Sequence, residues 1–200
     1  MESAAADLRA LWPERVVGAP NGADVRGGWY TSLGKPMRVH RTFAFLDLCG
    51  FTAYTDARGD EAAVAVLATL RSLVRTQAAE RGVRVTKWLG DGVMLSGTES
   101  DAVLRCCVEV RDRVAAISPL PLRGGIAGGA VIMFEGDDYV GAPVNVAARL
   151  CQEARPNQLL AAASVAEPHQ GLLVARSLPD VRVDGVGAPV AVRELLVDVE

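Results

Sequence analysis

The sequence predicts an α+β fold: a ferredoxin-like βαββαβ core with extra strands toward the C-terminus. Three observations carry this. Apolar residues recur at helical spacing in two long stretches, beginning near Asp60 and Ser100. β-prone runs precede, separate and follow them, at Arg41–Leu48, on both sides of Gly90-Asp91-Gly92, and at Leu122–Phe134. The resulting order, strand–helix–strand–strand–helix–strand, is the pattern of a two-layer domain with helices packed on a sheet.

The first strand runs Thr42-Phe43-Ala44-Phe45-Leu46 into Asp47, with Phe43, Phe45 and Asp47 on one face. An acid closing a buried strand must be hydrogen-bonded, paired or bound to a metal. Asp47 is therefore either a helix cap or a metal ligand. Gly50-Phe51-Thr52 opens a short helical stretch. Asp60 is placed to cap a helix through about Arg81, stopped by Gly82, with Val64, Leu67, Leu70 and Val74 as its apolar stripe.

A hairpin centred on Gly-Asp-Gly comes next. Alternation puts Val83, Val85 and Lys87 on one face, an odd position for a charge. Taken alone, Asp91 is a turn residue. Ser100 or Asp101 is placed to cap the second long helix, with Val103, Cys106, Cys107, Val110, Val114 and Ile117 along one side, ended by Pro119 and Pro121. The strand Leu122–Phe134 is rich in glycine, which marks bulges or close approach of another backbone.

Glu135 to Asp138 reads as a turn, and Pro143 suits the first turn of a third helix. Asn145 and Arg149, four apart, share a face, while Val146 and Leu150 face the core. An Asn and an Arg near a helix N-terminus suit an anion. Taken alone, an exposed polar face with a salt bridge is the better explanation. Short strands are expected at Gln158–Leu160, Leu172–Val174, Val181–Val183 and Val190–Leu196.

Residues 1–40 are broken by glycine and proline and read as an N-terminal arm or cap, with Trp12, Trp29 and Tyr30 suggesting that part of it docks; residues 41–200 form the main domain. The net charge of −3 disfavours a nucleic-acid or basic membrane binder. No apolar run is long enough to cross a bilayer, and the N-terminus lacks a secretion-signal layout, so a cytoplasmic protein is expected. Four cysteines without a Cys-x-x-Cys pair and two distant histidines disfavour zinc or a disulfide framework.

Three stretches resemble the class III nucleotidyl cyclases, the adenylyl and guanylyl cyclase catalytic domain, in its bacterial single-domain type. They are Phe45-Leu46-Asp47-Leu48-Cys49-Gly50-Phe51-Thr52, Lys87-Trp88-Leu89-Gly90-Asp91, and Asp138 through Leu150. The resemblance implies the family fold over about residues 41–196 and an adenylyl cyclase converting ATP to cyclic AMP and pyrophosphate. It implies two Mg²⁺ or Mn²⁺ ions on Asp47 and Asp91, base reading by Lys87 and Asp138, ribose orientation by Asn145, and transition-state stabilisation by Arg149.

It further implies a homodimer in which one chain gives Asp47 and Asp91 and its twin gives the other four residues. One position departs from the pattern. The late segment reads Val181-Arg182-Val183-Asp184-Gly185, with Asp184 where many members place a phosphate-contacting lysine; Arg182, two residues earlier, is the candidate substitute. The alternatives are a cyclase for another base, giving cyclic CMP, UMP or GMP, and a catalytically weak nucleotide-binding dimerisation module.

Overall fold

A computed structural model describes residues 38–134, 138–167 and 174–196. The described chain runs β1 (Arg38–Leu48), α1 (Phe51–Arg58), α2 (Asp60–Glu80), β2 (Arg84–Leu89), β3 (Gly92–Gly97), α3 (Ser100–Ile117), β4 (Leu122–Phe134), β5 (Asp138–Val140), α4 (Ala142–Glu153), β6 (Leu159–Ala162), α5 (Ala163–Ala166), β7 (Val174–Val181) and β8 (Val190–Leu196). The strands form one mixed sheet in the order β2-β3-β1-β4-β6-β8-β7, with β5 paired to β4. Its first four strands have the ferredoxin-like order, and β6, β8 and β7 extend it beyond β4. The expected α+β fold with additional C-terminal strands is what the chain adopts.

Two apolar layers sandwich this sheet. On one face α2 and α3 bury Val66, Leu70, Val74, Val103, Leu104 and Val110 against Leu46, Leu48, Val93 and Leu95. On the other, α4 buries Val144, Val146, Ala147 and Leu150 with Phe43, Met94 and Tyr139. Alternation along β1 explains the split: Leu46 and Leu48 point to one layer, Phe43 and Phe45 to the other. Arg111 is buried in α3, and its guanidinium donates to the Leu195 carbonyl at 2.8 Å, which ties that helix to β8.

Glycine in β4 is what lets α4 lie on the sheet. A Cβ on Gly125 would stand 2.2 Å from both the Ala147 carbonyl oxygen and the Cys151 backbone nitrogen. The helix backbone therefore rests on the strand with no side chain between them. This is the close approach that the glycine-rich sequence signalled.

Several local expectations are corrected. Arg38 to His40 belong to β1 rather than to an arm, whose Trp12, Trp29 and Tyr30 lie outside the described residues. Val64 is 63% exposed, and α2 buries Ala63, Val66, Leu70, Val74 and Ala78 instead, a stripe rotated by one residue. Ile117, at the last turn of α3, is 60% exposed, beyond the reach of the sheet. Asp60 and Ser100 are first helical residues without side-chain caps, and the Ser100 hydroxyl bonds Thr42 Oγ1 at 2.9 Å. Val181 ends β7, so Val181–Val183 is not a separate strand; Leu172 lies outside the described residues.

The cysteine expectation gives a direct test. Cys106, Cys107 and Cys151 are buried and unpaired. Burial pushes the Cys106 thiol up to about 11 and raises Cys107 and Cys151 as well. Thiol reagents at pH 8 should label only Cys49 in native protein and all four cysteines after unfolding. Labelling of Cys107 without unfolding would contradict this packing.

Candidate active site

The end of β1 and the β2–β3 turn bring two acids together. Asp47 is the cross-strand neighbour of Gly92 on β3 and of Arg123 on β4. Asp91 immediately precedes Gly92 in a two-residue turn whose first residue, Gly90, has φ 62°. That left-handed angle suits the glycine-first hairpin turn. A Cβ at position 92 would lie 3.2 Å from Asp47 Oδ1 and 2.9 Å from the Leu46 carbonyl, so glycine there leaves space for the carboxylate. Both acids also act on the Cys49 thiol: its pKa is raised first by burial, and Asp47 and Asp91 add to the rise against the opposing Arg123 charge.

Asp47 is not a helix cap. Arg123 grips one of its oxygens, Oδ2, through Nε at 3.0 Å and Nη2 at 2.7 Å. Nη1 of the same guanidinium donates to the Gln152 carbonyl at the end of α4, at 3.3 Å. Burial works against the Arg123 charge, but the hydrogen bonds and charge of Asp47 outweigh it and raise its pKa. Arg123 was not among the residues the sequence singled out. The only signal for it was a lone arginine opening the glycine-rich strand, and its meaning depends on the β1–β4 register.

Among the described residues no group of three or more His, Cys, Asp or Glu side chains is placed to hold a metal ion. Asp47, whose Oδ1 takes no bond from Arg123, and Asp91, adjacent in sequence to Asp47's cross-strand neighbour Gly92, are nonetheless the residues whose chemistry fits Mg²⁺ or Mn²⁺. Such ions take one or two protein carboxylates and complete their shell with substrate phosphates and water.

The second cluster lies on the α4 face. A bulge between Val85 and Lys87 breaks the alternation of β2. Val85 and Trp88 pack on the α2–α3 layer while Leu89 packs on the α4 layer. Lys87, two residues before Leu89, is thereby turned to the α4 side, away from Val85, which corrects the expectation that the two share a face. β5 folds back over the same side, with Tyr139 edge-on to Phe43 at 5.0 Å between ring centroids. Lys87 Nζ and the Asp138 carboxylate form an ion pair, both about half exposed. Residues 51 apart in sequence, each singled out in advance, thus meet. Asp137, the neighbouring acid, lies outside the described residues.

Asn145 and Arg149 are exposed on α4, on the stripe next to buried Val146 and Leu150. Arg149 Nη2 contacts Glu153 Oε1 at 2.7 Å. Arg182 and Asp184 are exposed on either side of buried Val183, in the segment after β7. Within one chain, then, the acids and Arg123 form one group, and Lys87 with Asp138 another, with Asn145 and Arg149 presented outward.

No protein-family model matches the chain. A pH-sensitive adenylate cyclase of Mycobacterium tuberculosis is 36% identical over 139 residues, 68% of this chain and 34% of that protein. The adenylyl cyclase CyaB from P. aeruginosa superimposes with a TM-score of 0.70 at 24% identity, covering 80% of this chain and 95% of that one. The catalytic core of a rhodopsin-guanylyl cyclase with converted specificity, in complex with ATPalphaS, gives a TM-score of 0.74 at 18% identity, over 80% and 97% of the two chains. The chain spans about a third of the length of the curated relatives it matches. Among the described residues no helix is long and apolar enough to cross a membrane. With its sheet order, its β1 and β2–β3 acids and its α4 placement, the chain carries the catalytic-domain fold of the class III nucleotidyl cyclases.

Proposed function

We propose that the protein is a cytoplasmic adenylyl cyclase that closes ATP to 3′,5′-cyclic AMP, with release of pyrophosphate, at two sites shared across a homodimer. The observation that carries the base assignment is the Lys87–Asp138 ion pair. Adenine presents a ring-nitrogen acceptor beside an amino donor. A lysine donor at the ring nitrogen and a carboxylate acceptor at the amino group match that edge, whereas guanine swaps the two positions, with an exocyclic oxygen acceptor and a ring N–H donor.

The bond formed is 3′-oxygen to α-phosphorus, and the bond broken joins the α-phosphorus to the pyrophosphate oxygen. Mg²⁺ or Mn²⁺ on Asp47 and Asp91 would supply a lowered hydroxyl pKa and neutralise triphosphate charge. Lys87 and Asp138 seat the base, and Asn145 holds the ribose so that its hydroxyl faces the phosphorus. Arg149 offsets the charge that builds on the α-phosphate and the departing pyrophosphate. Arg182, exposed beside buried Val183, would serve the triphosphate in the role that Asp184 cannot fill.

Exposure of both Asn145 and Arg149 supports a shared site, because their polar stripe faces outward rather than into their own chain. A C2 homodimer would then hold two equivalent sites. Turnover of ATP, GTP, CTP and UTP side by side tests the reading. Cyclic AMP should dominate; preferred use of another nucleotide would retire the Lys87 and Asp138 assignment, and no turnover of any would favour the binding-module alternative.

A further inference from the structure

On the face of α4 that carries Asn145 and Arg149, the next residue in register is Glu153, so the three stand at successive i, i+4 positions. We infer that Glu153 is a positioning residue for Arg149, fixing one end of its guanidinium so that the remaining N–H groups meet the triphosphate. This rests on the proposed role of Arg149.

Helix energetics alone give no reason for an acid there. Glu153 is the last residue of α4, where the helix dipole disfavours negative charge, and the last turn holds no basic residue. The order of the pair is also the weaker one. In α3 the i,i+4 pairs Asp101–Arg105 and Glu109–Arg113 both place the acid first, the favoured direction. Arg149–Glu153 is reversed.

The geometry of the contact fits a positioning role. Glu153 Oε1 meets Nη2 at 2.7 Å, and arginine carries five N–H donors, so one edge of the fork is held while the others stay available. An exposed arginine otherwise samples many rotamers. Restricting it lowers the ordering cost that would fall on the transition state. The neighbouring Gln152 carbonyl accepts from Arg123, which limits movement of this helix end.

The test compares the wild-type chain, Arg149→Ala and Glu153→Gln for kcat, KM for ATP, thermal midpoint and dimer mass. Glu153→Gln should lower kcat about tenfold, with KM changed less than about twofold. Its midpoint should be unchanged or slightly raised, since an acid leaves the negative end of a helix. An unchanged kcat in Glu153→Gln, with Arg149→Ala inactive, overturns this inference and leaves the proposed function standing. A fall in kcat that tracks a lost midpoint or lost dimer also overturns it, by showing a structural role. Inactive wild type, or Arg149→Ala with normal turnover, overturns the proposed function itself and this inference with it.

Discussion

Arg149→Ala should lower cyclic AMP formation about a hundredfold to a thousandfold, the usual loss when one preorganised donor to developing charge is removed. The fold should be intact, because Arg149 is exposed and its ion pair among the described residues is with Glu153 of the same helix. Asp47→Asn should be at least as severe, through a different cause. Its remaining oxygen can still accept from Arg123, so the half-buried guanidinium keeps a partner, but the charge proposed to bind a divalent cation is gone. Circular dichroism of both variants should overlay wild type, with a lowered thermal midpoint only in Asp47→Asn, where the charge that offsets burial of Arg123 is lost. Normal turnover by either variant would remove that residue from the machinery.

The second large effect concerns packing. Gly125→Ala introduces a Cβ 2.2 Å from two backbone atoms of α4 and 2.7 Å from a third, the Leu150 carbonyl carbon. A helix backbone cannot yield locally as a side-chain tip can, so α4 must lift from the sheet, stripping Val146, Ala147 and Leu150 of contacts. We expect a loss of about 3 kcal/mol or more in urea unfolding, with activity falling in parallel as Asn145 and Arg149 shift. Gly187→Ala is the control: a Cβ there meets nothing within 4 Å, and its stability should stay within about 0.5 kcal/mol of wild type. Wild-type stability in Gly125→Ala would contradict the seating of α4 on β4.

What the sequence made legible follows from which features are local. β4 and β8 have the boundaries expected from their composition, because branched runs between turn residues define a strand without help from elsewhere. α4 was marked by Pro143 and by the alternation of polar and apolar stripes. Asp47 was legible because an aspartate at the end of an apolar strand needs a reason to be there, whereas Asp91 alone read as a turn residue.

Register was not legible. The bulge after Val85 turns Lys87 to the other face, and no pattern in a six-residue strand announces a single inserted residue. Arg123 was overlooked for the same reason: only the antiparallel pairing of β1 with β4 sets it opposite Asp47. The α3 stripe was correct as far as Val114, whereas that of α2 was correct in period yet shifted in its first turns, as Val64 shows, because the phase is fixed by the partner layer. Caps expected from Asp60 and Ser100 lost to tertiary bonding or to the preceding turn.

If the carboxylates of one chain and the guanidinium of its twin act on one triphosphate, two inactive variants should rescue each other when mixed. Asp47→Asn and Arg149→Ala, combined in equal amounts and allowed to exchange subunits, form mixed dimers in roughly half of all pairings, each with one intact site of two. Recovery of about a quarter of wild-type cyclic AMP formation is expected. No recovery, with exchange verified by mass, would contradict this sharing of sites.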